Sequence, residues 1–386
     1  MSDTASTTLF PDQSKSGSRQ GVLPFQQINA MIREQEIWST QEIRADQVQP
    51  ASLDLRLGTV AYRVRASFLP GPNTTVMEKI AQLDAYPIDI TAGAVLEKGC
   101  VYVIPLLESL KFKSGVTGFA NPKSSTGRLD ILTRLITDKS SAFDKIERGY
   151  CGPLYVEVAP RTFSVVVKTG TRLNQARFRR GSSLIAASEL ERLLKEGQLL
   201  VEESSQPDLR DRKMIGVTID LHGSDRGGLI GYRAKKFTDR IDLAKVGQYD
   251  PAEFWEPIHY QPRSPLILDP NDFYILVTRE AVQIPPDYAA EMVAYDTSVG
   301  EFRVHYAGFF DPGFGWGSGA ASRAVLEVRS HEVPFMLDDG QTVGWLQYEK
   351  MADRPDRLYG GTNIQSNYQG QGLALAKQFR AVAPPA

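Results

Sequence analysis

The chain repeats itself, and that repeat constrains its fold more than any other feature. PASLDLRLG at 50–58 returns as GVTIDLHG at 216–223, which sets Asp54 against Asp220 at an offset of 166. GPLYVEVAPRTFSVVVKTGTRLNQARF at 152–178 returns as RAVLEVRSHEVPFMLDDGQTVGWLQY at 323–348, pairing Glu157 with Glu327 and Gly170 with Gly340 at an offset of 170. Between them GCVYVIPLLESLKFKSGVTGFA answers to DFYILVTREAVQIPPDYAAEMV. Three matches in one order at nearly constant spacing mark a tandem duplication of one domain of roughly 170 residues.

The repeated segments predict a mainly β protein. SLDLRLG, GPLYVEVAP, TFSVVVKTG, FYILVTREAV and RAVLEVRS are short, rich in β-branched and aromatic residues, and bounded by Gly, Pro, Asn and Asp. Two stretches read as helical. In LPFQQINAMIREQEIW, Phe25, Ile28, Met31, Ile32 and Trp38 fall near helical spacing. LIAASELERLLKEGQLLVEESSQPDLRDRK, 184–213, begins as a helix and ends in a charged, Pro-containing connection. The expected organisation is a loose tail over 1–21, a first β domain over 22–183, a helical linker over 184–213 and a second β domain over 214–386.

Composition narrows the partners. A net charge of −2 gives no bulk reason to expect a nucleic acid or an anionic membrane, so any anion must be held locally. Cys100 and Cys151 are too few for a disulfide framework and lack zinc-site spacing, which points to a reduced, cytoplasmic setting. The first twenty residues lack a signal-peptide apolar run, and VYVIPLL at 101–107 is far too short to span a bilayer. His222, His259, His305 and His331 are scattered without ligand spacing.

PKSSTGRLDI at 122–131 is the one polar device set among apolar strands. The hydroxyls of Ser124 and Ser125, with Lys123 and the Arg128 fork, supply several donors to a single anion. Its counterpart in the second half is YDTSVGEFR, where Glu301 stands for Arg128 and Asp296 for Lys123. An acid repels the anion that the arginine would hold, so the grip belongs to the first half alone. The second half has GFFDPGFG at 308–315, with Asp311, and the glycine-rich SNYQGQGLALAKQF at 366–379. There Tyr368 can stack on a base while the glycines let backbone close over a ligand.

These segments in this order resemble the dCTP deaminase and dUTPase superfamily, in the long duplicated form of 2′-deoxycytidine 5′-triphosphate deaminase. The resemblance runs from about residue 22 to 379. It implies two distorted, jelly-roll-like β-barrels with short helices, assembly as a homotrimer, and Mg²⁺ accompanying the substrate phosphates. Carried over by position, it places phosphate or water binding on Lys123, Ser124, Ser125 and Arg128, base chemistry on Glu157 or Glu327, and a nucleotide-covering role on Tyr368 and Gln371. Two departures stand out. Asn367 occupies the place of a family lysine, and the first half has Asp144 in SSAFDKIERGYCG where the second keeps an intact DPGF. A composite site joining the first half's grip to the second half is therefore expected.

The implied reaction is dCTP plus water to dUTP plus ammonia. Zinc deaminases draw hydroxide from a His/Cys-bound metal with an HxE and PCxxC pair, and the chain has neither motif. A metal-free route relies on a buried glutamate that shuttles protons, with Ser124 and Arg128 assisting. Both YVEV and VLEV could also turn their acid to solvent by strand alternation. The sister reaction, dUTP hydrolysis through Asp144 or Asp311 and Mg²⁺, stays open, alone or combined with deamination. So does a deoxynucleotide-binding regulator without turnover. Inhibition by dTTP is a further expectation of the resemblance.

Overall fold

The computed structural model describes residues 19–113, 115–201, 207–262, 264–294, 302–304, 308–317, 322–330, 332–361 and 370–381. The protein is mainly β, with a few short helices.

The pairing order in the second half follows that in the first. One first-half sheet runs Tyr86–Asp89, Val60–Val64, Val101–Lys111, Cys151–Pro160, Ile131–Thr137, with Ile37–Ser39 added to Val101–Lys111. Its second-half counterpart runs Trp255–His259, Leu229–Ala234, Phe273–Val282, Ser322–Ser330, Phe302–Val304, with Leu200–Val201 added to Phe273–Val282. A further first-half sheet joins Arg172–Arg180 to Val116–Pro122 and Leu53–Arg56, and a second-half sheet joins Thr342–Lys350 to Tyr288–Ala294 and Met214–Thr218.

The halves share their interior. The larger apolar cluster, built on Leu55, Ile104, Val156 and Phe178, also takes in Tyr232, Ile241, Phe254, Trp255, Phe273 and Phe379 from the second half. Ile241–Asp242 pairs in parallel with Val165–Val166. The stretch expected to be a connection is packed as well. Its helix Ala187–Lys195 buries Leu190 and Leu193, and with Ile185 and Leu199 these join the second cluster.

The helix expected near residue 25 spans Phe25–Arg33 and buries Ile28 and Met31. Trp38 is not on it. Gln35 takes a φ of 60°, which ends the helix, and Trp38 falls in the strand Ile37–Ser39, where it is exposed.

Candidate active site

Strand alternation sets the two glutamates in equivalent places with different surroundings. Along Ser322–Ser330, Ala324, Leu326 and Val328 enter the second core. Arg323, Val325, Glu327 and Arg329 therefore share the opposite face, and Val325 packs on the first-half cluster. Along Cys151–Pro160, Leu154, Val156 and Val158 point inward, leaving Tyr155 and Glu157 on the other face.

What covers each face differs. Tyr155 is packed under Val76 and Ile80 of the helix Val76–Gln82, whose first turn is capped by Thr75. Beside it the Arg134 guanidinium holds Glu157 Oε1 at 3.0 Å through Nε and 2.5 Å through Nη2, and Arg134 lies 3.8 Å over the Phe143 ring. Glu157 is thereby bound into a local ion pair. Glu327 has no salt bridge among the described residues. It is buried, and the charges acting on it, Arg128 and Asp130, both come from the first half. Burial pushes its carboxyl up to about 8 against the opposing pull of Arg128.

Arg128 closes the short helix Ser124–Gly127 and is itself buried. Its Nη1 donates to the Ala374 carbonyl at 3.1 Å and its Nη2 to Gln371 Oε1 at 2.9 Å. Gln371 in turn donates from Nε2 to the Arg323 carbonyl at 3.3 Å, and its own carbonyl accepts the Arg323 N–H at 2.9 Å. The tail is thus laced between the first-half grip and the strand that carries Glu327. Two residues beyond Arg128, buried Asp130 pairs with buried Arg329 and accepts from Thr162 Oγ1 at 2.5 Å. Arg128 and Asp130 of one half consequently face Glu327 and Arg329 of the other.

The remaining candidates divide. Lys123 pairs with Asp54, and Thr126, between the serines and Arg128, donates to the Leu173 carbonyl at 2.7 Å. Ser124 and Ser125 open the short helix Ser124–Gly127, where Ser125 is buried. Asp311 is buried against Arg177 at 3.0 Å. Burial raises its carboxyl pKa in spite of that cation, and Lys123 and Asp54 also act on it. Asp144 lies elsewhere: its Oδ1 accepts the Leu135 N–H at 2.7 Å, and burial pushes it up to about 7, with Arg134 and Glu157 among its charged neighbours. Tyr368, Asn367, Asp296, Glu301, His305 and His331 lie outside the described residues.

One group of potential metal ligands occurs among the described residues, Asp220, His222 and Asp339. Its acids already have cations: Asp220 binds Arg226 at 2.6 Å and Arg323 at 2.7 Å, and Asp339 binds Arg279. Burial alone would raise Asp220, but Arg226 and the N–H groups of Gly223 and His222 hold it down at about 2. This set fits a structural ion network better than a metal centre.

A family model for the N-terminal domain of 2′-deoxycytidine 5′-triphosphate deaminase matches residues 19–182, and one for its C-terminal domain matches 186–379. The chain belongs to the 2′-deoxycytidine 5′-triphosphate deaminase family. Within that family it is similar to a crystal structure of 2′-deoxycytidine 5′-triphosphate deaminase from Agrobacterium tumefaciens, at 54% identity and a TM-score of 0.83, over 88% of this chain and 100% of that one. A protein of Clavibacter michiganensis named "dCTP deaminase, dUMP-forming" is 31% identical over 37% of this chain and 71% of its own length. One of the same name from Methanosphaera stadtmanae is 24% identical over 49% of this chain and 90% of its own.

Several residues in and around this candidate site had no distinctive sequence signal. Asp130 and Arg329 sit in ordinary strand-end contexts, and their pairing across 199 positions is a product of the fold. Arg177, from the basic run RFRRG, is wholly buried, donating to the Ala290 carbonyl at 3.0 Å and the Phe310 carbonyl at 3.2 Å. Arg179 of the same run binds Glu349 at 2.8 Å and Glu291 at 3.3 Å.

Proposed function

We propose that the protein deaminates dCTP at a site composed from both halves, with Glu327 as the proton carrier. The observation that carries this is the burial of Glu327 against Arg128, beneath a tail that Arg128 itself fastens. A carboxyl poised near 8 is protonated at neutral pH, so it gives its proton to N3 of cytosine and becomes the base that takes a proton from water as oxygen attacks C4. The regained proton passes to the amino group, the C4–N bond breaks, and the hydroxyl proton on C4 returns to the carboxylate. Ammonia and a uracil base result, with Glu327 restored. Arg128 orders Glu327 and the tail, Lys123, Ser124 and Ser125 bind phosphate, and Mg²⁺ enters with the phosphates of the substrate. The Arg134 pairing and the covering helix make Glu157 the structural member of the pair.

The same reading takes the two sheet sets as a duplicated, dUTPase-like distorted barrel, with a domain boundary near residue 184 and homotrimeric assembly in the cytoplasm. No helix among the described residues is long and apolar enough to cross a membrane. Inhibition by dTTP is part of this reading.

A second reading has its own support. The "dUMP-forming" names of the relatives favour a bifunctional enzyme that goes on to cleave pyrophosphate, and Asp311, beside Lys123, is the acid placed for it. Incubation with dCTP and Mg²⁺, with ammonia, pyrophosphate, dUTP and dUMP quantified together, separates the two. Ammonia with dUTP supports deamination alone, and ammonia with dUMP and pyrophosphate supports both steps. Absence of ammonia overturns both and leaves a nucleotide-binding regulator.

A further inference from the structure

Beside Glu327 the two halves are joined by a buried ionic contact of three residues. Asp130 stands between the helix Ser124–Gly127 and the strand Ile131–Thr137, wholly buried and at a left-handed φ of 54°. An aspartate tolerates that conformation better than most side chains. Its N–H donates to the Gly127 carbonyl at 2.8 Å and its carbonyl accepts the Arg161 N–H at 2.9 Å, so the backbone aims the carboxylate. Oδ2 accepts from Thr162 Oγ1 at 2.5 Å and from Arg329 Nη2. The same Arg329 nitrogen donates to Thr162 Oγ1 at 3.0 Å, and Arg329 Nη1 holds the Asn271 carbonyl.

Asp130 follows Arg128 by two residues, and Arg329 follows Glu327 by two on the same strand face. Fixing one pair therefore fixes the offset of the other. A slip of one residue would bring Val328 to Asp130 and turn Glu327 to the opposite face. The repeat supplies this contact once. PKSSTGRLD and YDTSVGEFR set Arg303 against Asp130, while YVEVAPRT and VLEVRSHE set Ala159 against Arg329 and Glu332 against Thr162. The converse junction, second-half turn on first-half strand, would offer Arg303 an alanine, and the glutamate of that strand, Glu157, is already held by Arg134. The sequence thus provides the contact on the side where Arg128 meets Glu327 and not on the other.

We propose that Asp130, Thr162 and Arg329 are positioning residues, a clasp between the halves that holds Arg128 in register over Glu327. Asp130 and Arg329 neutralise one another, and Thr162, donor to the acid and acceptor from the cation, fixes the angle at which they meet. Misplacing a reacting group by about 1 Å lowers a rate by up to about 10²-fold, so the clasp acts on turnover rather than on affinity. The inference rests on reading Glu327 as the proton carrier, and it adds what keeps that residue beneath Arg128.

The test compares the full-length parent with Asp130→Asn and Thr162→Val in steady-state ammonia release from dCTP across pH, and in amide exchange over residues 370–381. Asp130→Asn keeps an acceptor for Arg329 and suits the left-handed φ, and Thr162→Val keeps the shape and both charges, so at least one folded variant is available. In each, kcat should fall about tenfold with KM within about twofold, and the tail that Arg128 holds should exchange faster. Burial and, among the charges, Asp130 keep the proton on Glu327 against the pull of Arg128. The alkaline limb of kcat/KM should therefore move below about 8 in Asp130→Asn and stay in place in Thr162→Val. A lower melting temperature with kcat, limb and exchange unchanged would make the clasp a stability element and overturn the proposal, while leaving the deaminase reading. A raised KM with kcat kept would overturn it too. In a parent that releases no ammonia, faster tail exchange in both variants would keep the clasp and remove the deaminase reading, and unchanged exchange would overturn both.

Discussion

Arg128 Nη2 donates to Gln371 Oε1 at 2.9 Å, joining the first-half grip to a tail residue 243 positions later. The same guanidinium holds the Ala374 carbonyl, so one buried arginine makes two contacts to the tail.

Gln371→Ala removes the side-chain acceptor and the donor to Arg323 while leaving the backbone contacts. The expected outcome is a KM for dCTP raised about tenfold, and faster amide exchange over residues 370–381 measured by mass spectrometry. Unchanged exchange there would show that the remaining contacts, the Arg128–Ala374 bond among them, hold the tail without the Gln371 side chain.

Glu327→Gln and Glu157→Gln should separate cleanly. Loss of the proton carrier lowers kcat by roughly 10²–10⁴, whereas Glu157→Gln leaves activity within a few-fold and costs about 1–3 kcal/mol of stability, because Arg134 keeps a neutral partner in place of a carboxylate. Ammonia release and chemical denaturation read the two effects separately. Silence of Glu157→Gln with an active Glu327→Gln would move the chemistry to the first half.

The pH profile follows from the raised carboxyl of Glu327. Activity that begins with proton donation falls as pH passes about 8, so kcat/KM should decline on that limb. For stability, the native state keeps a proton that the unfolded chain, with an ordinary value of 4.5, has released. Stability contributed by this group is accordingly present below 4.5 and is lost as pH rises to about 8. Glu327→Gln escapes that loss, so its melting temperature should gain on the parent between pH 5 and pH 9. A constant difference would show that Glu327 ionises normally.

Asp130 and Arg329 form a buried pair across the halves, with Thr162 donating to the acid at 2.5 Å and accepting from Arg329 at 3.0 Å. Asp130→Ala strands a buried guanidinium and should cost about 3–5 kcal/mol. The double change Asp130→Ala with Arg329→Met should recover much of it, measured by denaturant unfolding.

Much of this architecture is written in local pattern. The repeat forecast two alike sets of strands because hydrophobic alternation and turn residues recur at fixed spacing, and the matching strand orders of the antiparallel sheets follow the same spacing. The polar turn at 123–128 stood out among apolar strands, and in the fold its Arg128 bonds to Gln371 and the Ala374 carbonyl. The choice between Glu157 and Glu327 was not legible, since YVEV and VLEV carry the same alternation. Our proposal of Glu327 turns on what lies above each face: Arg134 and the helix Val76–Gln82 over one, Arg128 and Asp130 over the other. Asp144 was expected at a ligand from its place after the motif; its Oδ1 accepts the Leu135 N–H. Trp38 matched a helical stripe that Gln35 interrupts.

The shared interior sets an order on how such a chain can be made. Trp255, Phe273 and Phe379 belong to the cluster that also holds Leu55 and Ile104, so the portion synthesised first leaves the ribosome with gaps that only later residues fill. Phe379 stands 324 positions after Leu55. The first-half core must wait, partly open, until that later segment has been made.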